Sequence, residues 1–168
     1  MNPTAEQIQK INHFSKVHID LCSKIASVVE IKQCEPKEHL FIEGDTGDTM
    51  ILVFQGQVEV SKNMMVKTAS VISTSMKPII RLETTDPPPG SDPITEPTVF
   101  VVEAPAFGIG EFSLVLDDAI LTSHVHATTP VNYGILTLDD FSNILNIFAC
   151  VMKIFSEMFD FLFQNKQT

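Results

Sequence analysis

The sequence predicts a mainly β fold with flanking helices: a β-roll or jelly roll of about eight short strands between N-terminal helices and C-terminal helices. Three observations predict it. Apolar residues follow helical spacing at both ends of the chain, β-rich runs fill the middle, and glycines separate those runs. Closely spaced strands with glycine at their corners are typical of sheets that close into a roll.

Residues 1–31 are predicted to form the N-terminal helices. Thr4-Ala5-Glu6-Gln7 fits a capping box, and apolar residues follow it at helical spacing. A second helix is predicted over residues 19–29, because its apolar side chains fall on one side: Leu21, Cys22, Ile25, Val28 and Val29. These helices are expected to pack against the roll.

Residues 39–138 are predicted to form the roll. The β-rich runs are 40–42, 50–54, 56–61, 66–73, 78–83, 99–103, 121–127 and 131–138. An insertion of about residues 63–98 interrupts the roll, and its Pro-rich part, 84–93, cannot be regular structure. We expect that part to be an exposed, mobile loop.

Residues 139–165 are predicted to be helical, with Asp139 as the N-cap. The apolar stripe of this tail is wider than one face against a roll can easily bury. About half of it is expected to be core. The remainder predicts a surface for a protein partner or for self-association, formed by Phe148, Val151, Phe155, Phe159, Leu162 and Phe163. The whole chain, 1–168, is predicted to be a single domain.

The charge balance excludes several function classes. Eleven basic residues stand against 21 acidic ones, giving a net charge of −10, which disfavours nucleic-acid binding. Arg81 is the single arginine, so it is the one source of a bidentate guanidinium. No run approaches the roughly 20 apolar residues of a membrane span. Three widely spaced cysteines without a C-x-x-C pair favour a reducing compartment, and the protein is predicted to be cytoplasmic.

Two candidate chemistries can be assessed from the residues. His124-Val125-His126 places two imidazoles on one strand face, as in metal-binding cupins. No third ligand follows before Asp139, so an outward-facing pair without metal is the preferred interpretation. His13, His18 and His39 are expected to be isolated surface residues. No catalytic motif stands out, and the chain is predicted not to be an enzyme.

Other motifs resemble those of cyclic-nucleotide-binding domains. Residues 40–60 contain a Gly44-Asp45 turn and then Gly56-Gln57-Val58-Glu59-Val60, similar to the opening strands of that family. Ile109-Gly110-Glu111-Phe112-Ser113-Leu114-Val115 resembles the start of its phosphate-binding cassette, and 131–141 is similar to its last strand and hinge helix. The resemblance covers roughly residue 19 to the C-terminus.

The resemblance implies a ligand pocket. In the family, the cassette presents backbone N–H groups to a cyclic phosphate, and the acid matched by Glu111 binds the ribose hydroxyl. The expected pocket residues are therefore Gly110, Glu111, Phe112, Ser113, Leu121, Thr122 and Ser123. Ligand closure in the family repositions the helices and regulates an attached domain. No cofactor is predicted with certainty, and a cyclic nucleotide or a nucleoside is the ligand class that stays open.

The chain departs from the family where the phosphate-binding arginine stands. Ala119-Ile120-Leu121-Thr122 occupies that region, with Asp117 and Asp118 just before it. The sequence therefore predicts a non-catalytic regulatory or scaffolding module with lost or altered cyclic-nucleotide affinity. Two alternatives remain open. One is a working cyclic AMP, cyclic GMP or nucleoside sensor, with Arg81 reaching the pocket or an uncharged ligand filling it. The other is an interaction module that uses the apolar tail.

Overall fold

The computed structural model describes residues 1–89, 99–114, 116 and 118–147. Two α-helices, α1 (Ala5–Gln9) and α2 (Ile19–Val28), and a 3₁₀ turn (Asn12–Phe14) precede the strands. Thr4 and Gln7 form the predicted capping box, since each side chain accepts a hydrogen bond from the other's backbone N–H. The second helix ends one residue before the predicted boundary.

Eleven strands follow within the described residues. They are β1 (Ile31–Cys34), β2 (His39–Phe41), β3 (Thr46–Gly47), β4 (Thr49–Gln55), β5 (Gln57–Lys67), β6 (Ile72–Thr84), β7 (Phe100–Ala104), β8 (Phe107–Ile109), β9 (Ala119–Ile120), β10 (His124–Ala127) and β11 (Val131–Thr137). A second 3₁₀ turn, Glu111–Leu114, separates β8 from β9, and a final helix, α3, covers residues 138–147. The fold is mainly β with flanking helices, as predicted. Strands β4, β5 and β6 are longer than the predicted runs, and β1, β3, β8 and β9 were not among those runs.

The strands form two main sheets and a small one. One sheet has the order β1-β11-β4-β8, the other β2-β10-β5-β6-β7, and β3 pairs with β9. All the strand pairs are antiparallel except β6 with β7, which segment 85–99 connects. Parallel neighbours need a connection of about a dozen residues or more, and this segment supplies it.

Strand β4 explains how the two cores are built. Met50 and Leu52 point into a cluster shared with the N-terminal helices, whereas Ile51 and Val53 point into the interior between the sheets. Successive side chains of a strand alternate between faces, so a strand covered on both sides must be apolar throughout. This double burial accounts for the uninterrupted run Met50-Ile51-Leu52-Val53 in the sequence.

Three expectations about local structure are wrong. The predicted strand at 66–73 contains the turn between β5 and β6, where the Thr68 N–H donates to the Val71 carbonyl at 3.0 Å. Much of the insertion is therefore a β-hairpin. The helix cap is Thr137 and not Asp139, because the Thr137 hydroxyl accepts from the Asp140 N–H at 3.1 Å. His39 is exposed, as predicted, but it is not isolated, as described below.

The partner surface predicted for the tail (Phe148, Val151, Phe155, Phe159, Leu162 and Phe163) lies outside the described residues. Within the described part of the tail, Ile144 is buried among the N-terminal helices and Phe141 packs against the same cluster. Among the helices that the structure describes, none has the length and apolar character needed to cross a bilayer.

Candidate functional site

The structure brings all seven sequence-predicted pocket residues to the lining of one cavity of about 220 Å³. Gly110, Glu111, Phe112 and Ser113 come from the end of β8 and the 3₁₀ turn, and Leu121, Thr122 and Ser123 follow β9. The lining also includes six residues outside the predicted set: Phe41, Val60, Ile109, Ala119, Ile120 and Val125. The cavity is a pocket in which the two motif-bearing segments face each other.

Gly110 fixes the entry of the chain into the 3₁₀ turn. Its φ is +85°, and a Cβ at this position would lie 2.7 Å from the Phe41 ring and 3.0 Å from the Thr49 carbonyl. Both the backbone conformation and the close approach therefore require glycine. The Gly110 carbonyl then accepts a hydrogen bond from the Ser113 N–H at 3.0 Å, which closes the turn.

A short two-stranded sheet forms the facing wall. The Gly44 N–H donates to the Leu121 carbonyl and the Leu121 N–H donates to the Asp45 carbonyl, each at 2.8 Å. A Cβ on Gly47 would come within 2.5 Å of Ser113 Oγ and 2.7 Å of Leu121 Cδ2. The Gly-Asp turn, the 3₁₀ turn and the segment after β9 are therefore packed as one unit around the cavity.

The cavity lining is mostly apolar. Phe41, Ile109 and Val125 are buried, and Ser113 is only 2% exposed. Glu111 is half-buried and is the one ionisable side chain among the described lining residues. Lined this way, the cavity offers hydroxyls and a carboxylate to a ligand and no cation from the described lining residues.

Arg81 lies away from this cavity. Its Nη2 donates to Glu59 Oε2 at 3.0 Å across the β5–β6 pair, and the two side chains are only 13% and 16% exposed. Glu59 and Arg81 are directly opposite in register, whereas Val58 points into the core between the sheets. Alternation along the strand therefore puts the guanidinium on the outer face of the sheet. Arg81 is not among the lining residues, which removes the support for its reaching the pocket.

Three histidines, two of them far from the third in the sequence, lie together on the same outer face. The His39 ring centroid lies 6.3 Å from that of His124 and 5.8 Å from that of His126. His124 is 8% exposed and accepts a hydrogen bond at Nδ1 from the Glu43 N–H at 3.3 Å. His13 and His18 are exposed, as expected. Among the described residues no group of histidine, cysteine and carboxylate side chains is arranged to hold a metal ion.

Burial lowers the pKa of His126 from its ordinary value, and the positive Arg81 nearby acts in the same direction. The carboxylate of Glu59, whose Oε1 lies 3.8 Å from His126 Nε2, opposes this shift without cancelling it. His126 therefore favours its neutral form in the folded protein more than it does in the unfolded chain.

This shift predicts a pH-dependent stability. Neutral His126 stabilises the folded state above the ordinary pKa of 6.5, and that contribution is lost as the pH falls below it toward the lower folded pKa. His126→Gln should therefore flatten the fall in the free energy of unfolding below about pH 6.5, measured by urea denaturation. The exposed His13→Gln is the matched control. An unchanged slope in His126→Gln would contradict the assignment.

A second and larger cavity, of about 430 Å³, lies beside α1 and β1. Its lining includes the neutral amide side chains of Gln7, Gln33, Gln55 and Asn132, and the Asn132 amide donates to Gln55 Oε1 at 3.1 Å. Sequence reasoning missed it because these amides are far apart in the chain and belong to no motif. It provides a control site for ligand experiments.

No family model matches the chain, and no curated protein matches it. Several solved structures do match it. The regulatory subunit of a cAMP-independent protein kinase A from Trypanosoma brucei matches 97% of this chain and 50% of its own, at 16% identity and a TM-score of 0.58. The regulatory domain of Toxoplasma gondii PKA with cAMP matches 91% and 48%, at 13% identity and a TM-score of 0.55.

A cyclic-nucleotide-binding-like protein from Brucella abortus matches 84% of this chain and 97% of its own, at 14% identity and a TM-score of 0.53. The chain thus spans about half the length of the two kinase regulatory chains and nearly all of the bacterial one. These similarities in structure agree with the motifs at Gly44-Asp45, Gly56 and Gly110-Glu111. The chain has the fold of cyclic-nucleotide-binding domains.

Proposed function

We propose that this protein is a non-catalytic regulatory or scaffolding module whose affinity for cyclic nucleotides is lost or altered. The observation that carries the proposal is the charge of the cavity. Its described lining contains Glu111 and no lysine, arginine or histidine, and Arg81 is paired with Glu59 on the other face of its sheet. A fold alone does not specify a function, so the proposal depends on this site.

A comparison of electrostatic free energies favours weak binding of a cyclic phosphate. A buried ion left without its partner costs about 3–5 kcal/mol, or roughly two to four decades of affinity. A helix N-terminus offers an anion about 0.3–1 kcal/mol, rising to about 2 kcal/mol in a buried geometry. Here the cassette is a 3₁₀ turn of four residues, which gives less than a full helix. The free energy lost with the missing cation is therefore larger than the free energy that the backbone N–H groups of the turn supply.

The size of the cavity supports the same conclusion. At about 220 Å³ it is smaller than the roughly 300–1,000 Å³ of typical small-molecule pockets. Leu121 contributes to its lining and also packs against the core between the sheets. A small uncharged ligand, such as a nucleoside held partly outside the cavity, suits this lining better than an anion does.

A working sensor remains the leading alternative, because one feature could transmit binding to the helices. Ser113 lines the cavity, and its neighbour Leu114 lies in the core cluster that contains Ile144 of α3. A ligand that moved the 3₁₀ turn would therefore act directly on the packing of that helix. The second alternative, an interaction module that uses the apolar residues from Phe148 to Phe163, rests on the sequence pattern alone.

The solved relatives support a regulatory role by analogy. Two carry the names of kinase regulatory chains, one of them with cAMP and the other described as cAMP-independent. The same fold thus occurs with and without dependence on this nucleotide. We place the protein in the cytoplasm, the compartment that the cysteine spacing predicts.

A thermal-shift series tests the proposal. We expect cyclic AMP and cyclic GMP at about 1 mM to raise the melting temperature by about 1 °C or less, because a ligand near its dissociation constant adds only about 0.4 kcal/mol. A micromolar ligand at that concentration would add several kcal/mol and raise it by several degrees. Such a shift with either cyclic nucleotide would contradict the proposal.

Adenosine and guanosine complete the series. A shift with a nucleoside that is lost in Glu111→Gln would support an uncharged ligand in the predicted cavity. Asn132→Ala is the control variant, since it alters the larger, amide-lined cavity instead. Loss of the shift in Asn132→Ala and its retention in Glu111→Gln would assign binding to that second cavity and contradict the predicted site.

A further inference from the structure

The ends of β5 and β6 form a two-stranded ribbon, residues 62–77, that continues past the rest of its sheet. Pairing of β10 with β5 reaches only as far as Ser61, and pairing of β7 with β6 begins at Ile80. Beyond those points β5 and β6 pair only with each other, from Lys62 opposite Lys77 to Lys67 opposite Ile72. The core clusters contain no residue of the ribbon.

Large apolar side chains of the ribbon are exposed. Met65 is 80% exposed and Ile72 is 67% exposed, and three others exceed 40%: Met64, Val71 and Met76. The register places Met65, Ile72 and Met76 on one face of the ribbon, and Met64 points to the opposite face. A concentration of exposed apolar side chains of this kind marks an interaction surface.

The charge of the ribbon is opposite to that of the protein. Lys62, Lys67 and Lys77 lie within it, and the sequence has no Asp or Glu between Glu59 and Glu83, although the net charge is −10. Lys62 and Lys77 stand directly opposite each other, an arrangement that destabilises a strand pair. Within the described residues, Glu43 reaches the base of the ribbon, where Oε2 accepts from the Asn63 N–H at 2.8 Å. Its partner there is a backbone N–H and not a lysine, so this contact does not account for the positive charge of the ribbon.

We propose that the ribbon is a docking surface for an anionic lipid membrane. Lysines flanking exposed apolar side chains are the combination that binds at the interface of an acidic bilayer, where the apolar groups insert and the ammonium groups meet the headgroups. A second copy of the ribbon would bring lysines against lysines. A protein docking on one face would leave either Met64 or Met65 uncovered, whereas a lipid interface surrounds both.

The lysines set the expected size of the effect. Each lysine near an anionic surface contributes about fivefold in affinity, so the three together contribute on the order of a hundredfold. Binding should weaken as salt rises, because the Debye length falls. It should require negatively charged lipid, since the lysines gain no electrostatic attraction from a neutral bilayer.

Co-sedimentation with vesicles tests the proposal on the full chain. We expect binding to vesicles of phosphatidylcholine with about one third phosphatidylserine, and none to phosphatidylcholine alone. Lys62→Gln/Lys67→Gln/Lys77→Gln should lower binding about a hundredfold. The matched control is Lys16→Gln/Lys24→Gln/Lys32→Gln, which removes the same charge from exposed positions elsewhere and should bind nearly as the parent does.

The apolar contribution has its own pair of variants. Met65→Ser/Ile72→Ser should weaken binding at every salt concentration, whereas Phe100→Ser, which changes a side chain that is 83% exposed outside the ribbon, should not. Unchanged melting temperatures will show that all variants are folded. Equal binding to neutral vesicles, or equal loss in the two lysine triples, would overturn the proposal. No sedimentation by the folded parent would also overturn it, in favour of an acidic protein as the partner.

Discussion

Arg81→Met is expected to lower the free energy of unfolding by about 3 kcal/mol at pH 8, the lower end of the range for breaking a buried ion pair. Glu59 would keep its charge in a site where its side chain is only 16% exposed and would lose its 3.0 Å contact with the guanidinium. His126 is the remaining group that could compensate. Arg81 helps to hold the pKa of His126 down, so its removal should raise that pKa and lessen the loss of stability toward pH 6.

A double variant separates the ion pair from simple packing. Replacing both partners, as in Glu59→Met/Arg81→Met, should restore most of the lost stability, because no unpaired charge is then buried. Urea denaturation at pH 8 and pH 6 measures all three proteins. If Arg81→Met is as stable as the parent yet binds cyclic nucleotides differently, then the placement of Arg81 on the outer face is wrong.

Ile120→Arg is expected to create affinity for cyclic AMP. Position 120 lines the cavity, in the region where the sequence resemblance implies a phosphate-binding arginine, and its side chain is 66% exposed, so a longer residue can be accommodated. A hydrogen bond to a charged group contributes about 1.5–3 kcal/mol, so affinity should rise about tenfold to a hundredfold. Isothermal titration calorimetry of parent and variant gives the ratio directly.

Leu116→Arg is the matched control for this gain. It adds the same charge at a side chain that is 53% exposed and does not line the cavity. Equal gains in the two variants would mean that net charge, and not position, governs binding. Micromolar affinity in the parent protein would show that the missing arginine is not what limits binding.

Local sequence was enough to predict the class of the fold. Gly110 has a positive φ beside the Phe41 ring, and Gly44 and Gly47 shape the facing turn. The positive φ of Gly44 and Gly110 is a property of the local turn, so glycine there leaves a readable pattern, whereas the neighbours Phe41 and Ser113 come from distant parts of the chain. For the same reason the Thr4 capping box and the alternation of β5 could be predicted. The seven expected pocket residues were implied by the family resemblance, and the structure places them along one cavity.

Which strands are neighbours, and in which register they pair, could not be predicted from the local sequence. Arg81 binds Glu59, and His39 lies beside His126, because β6 and β2 are placed next to distant strands whose register no local pattern specifies. The extension of β5 and β6 into a ribbon depends likewise on where β10 and β7 stop pairing. The sequence by itself therefore determined the class of the fold, the glycine turns and the lack of an arginine near the expected pocket. Only the tertiary structure decided which charges meet, because a strand's faces and neighbours are set by register across the sheet.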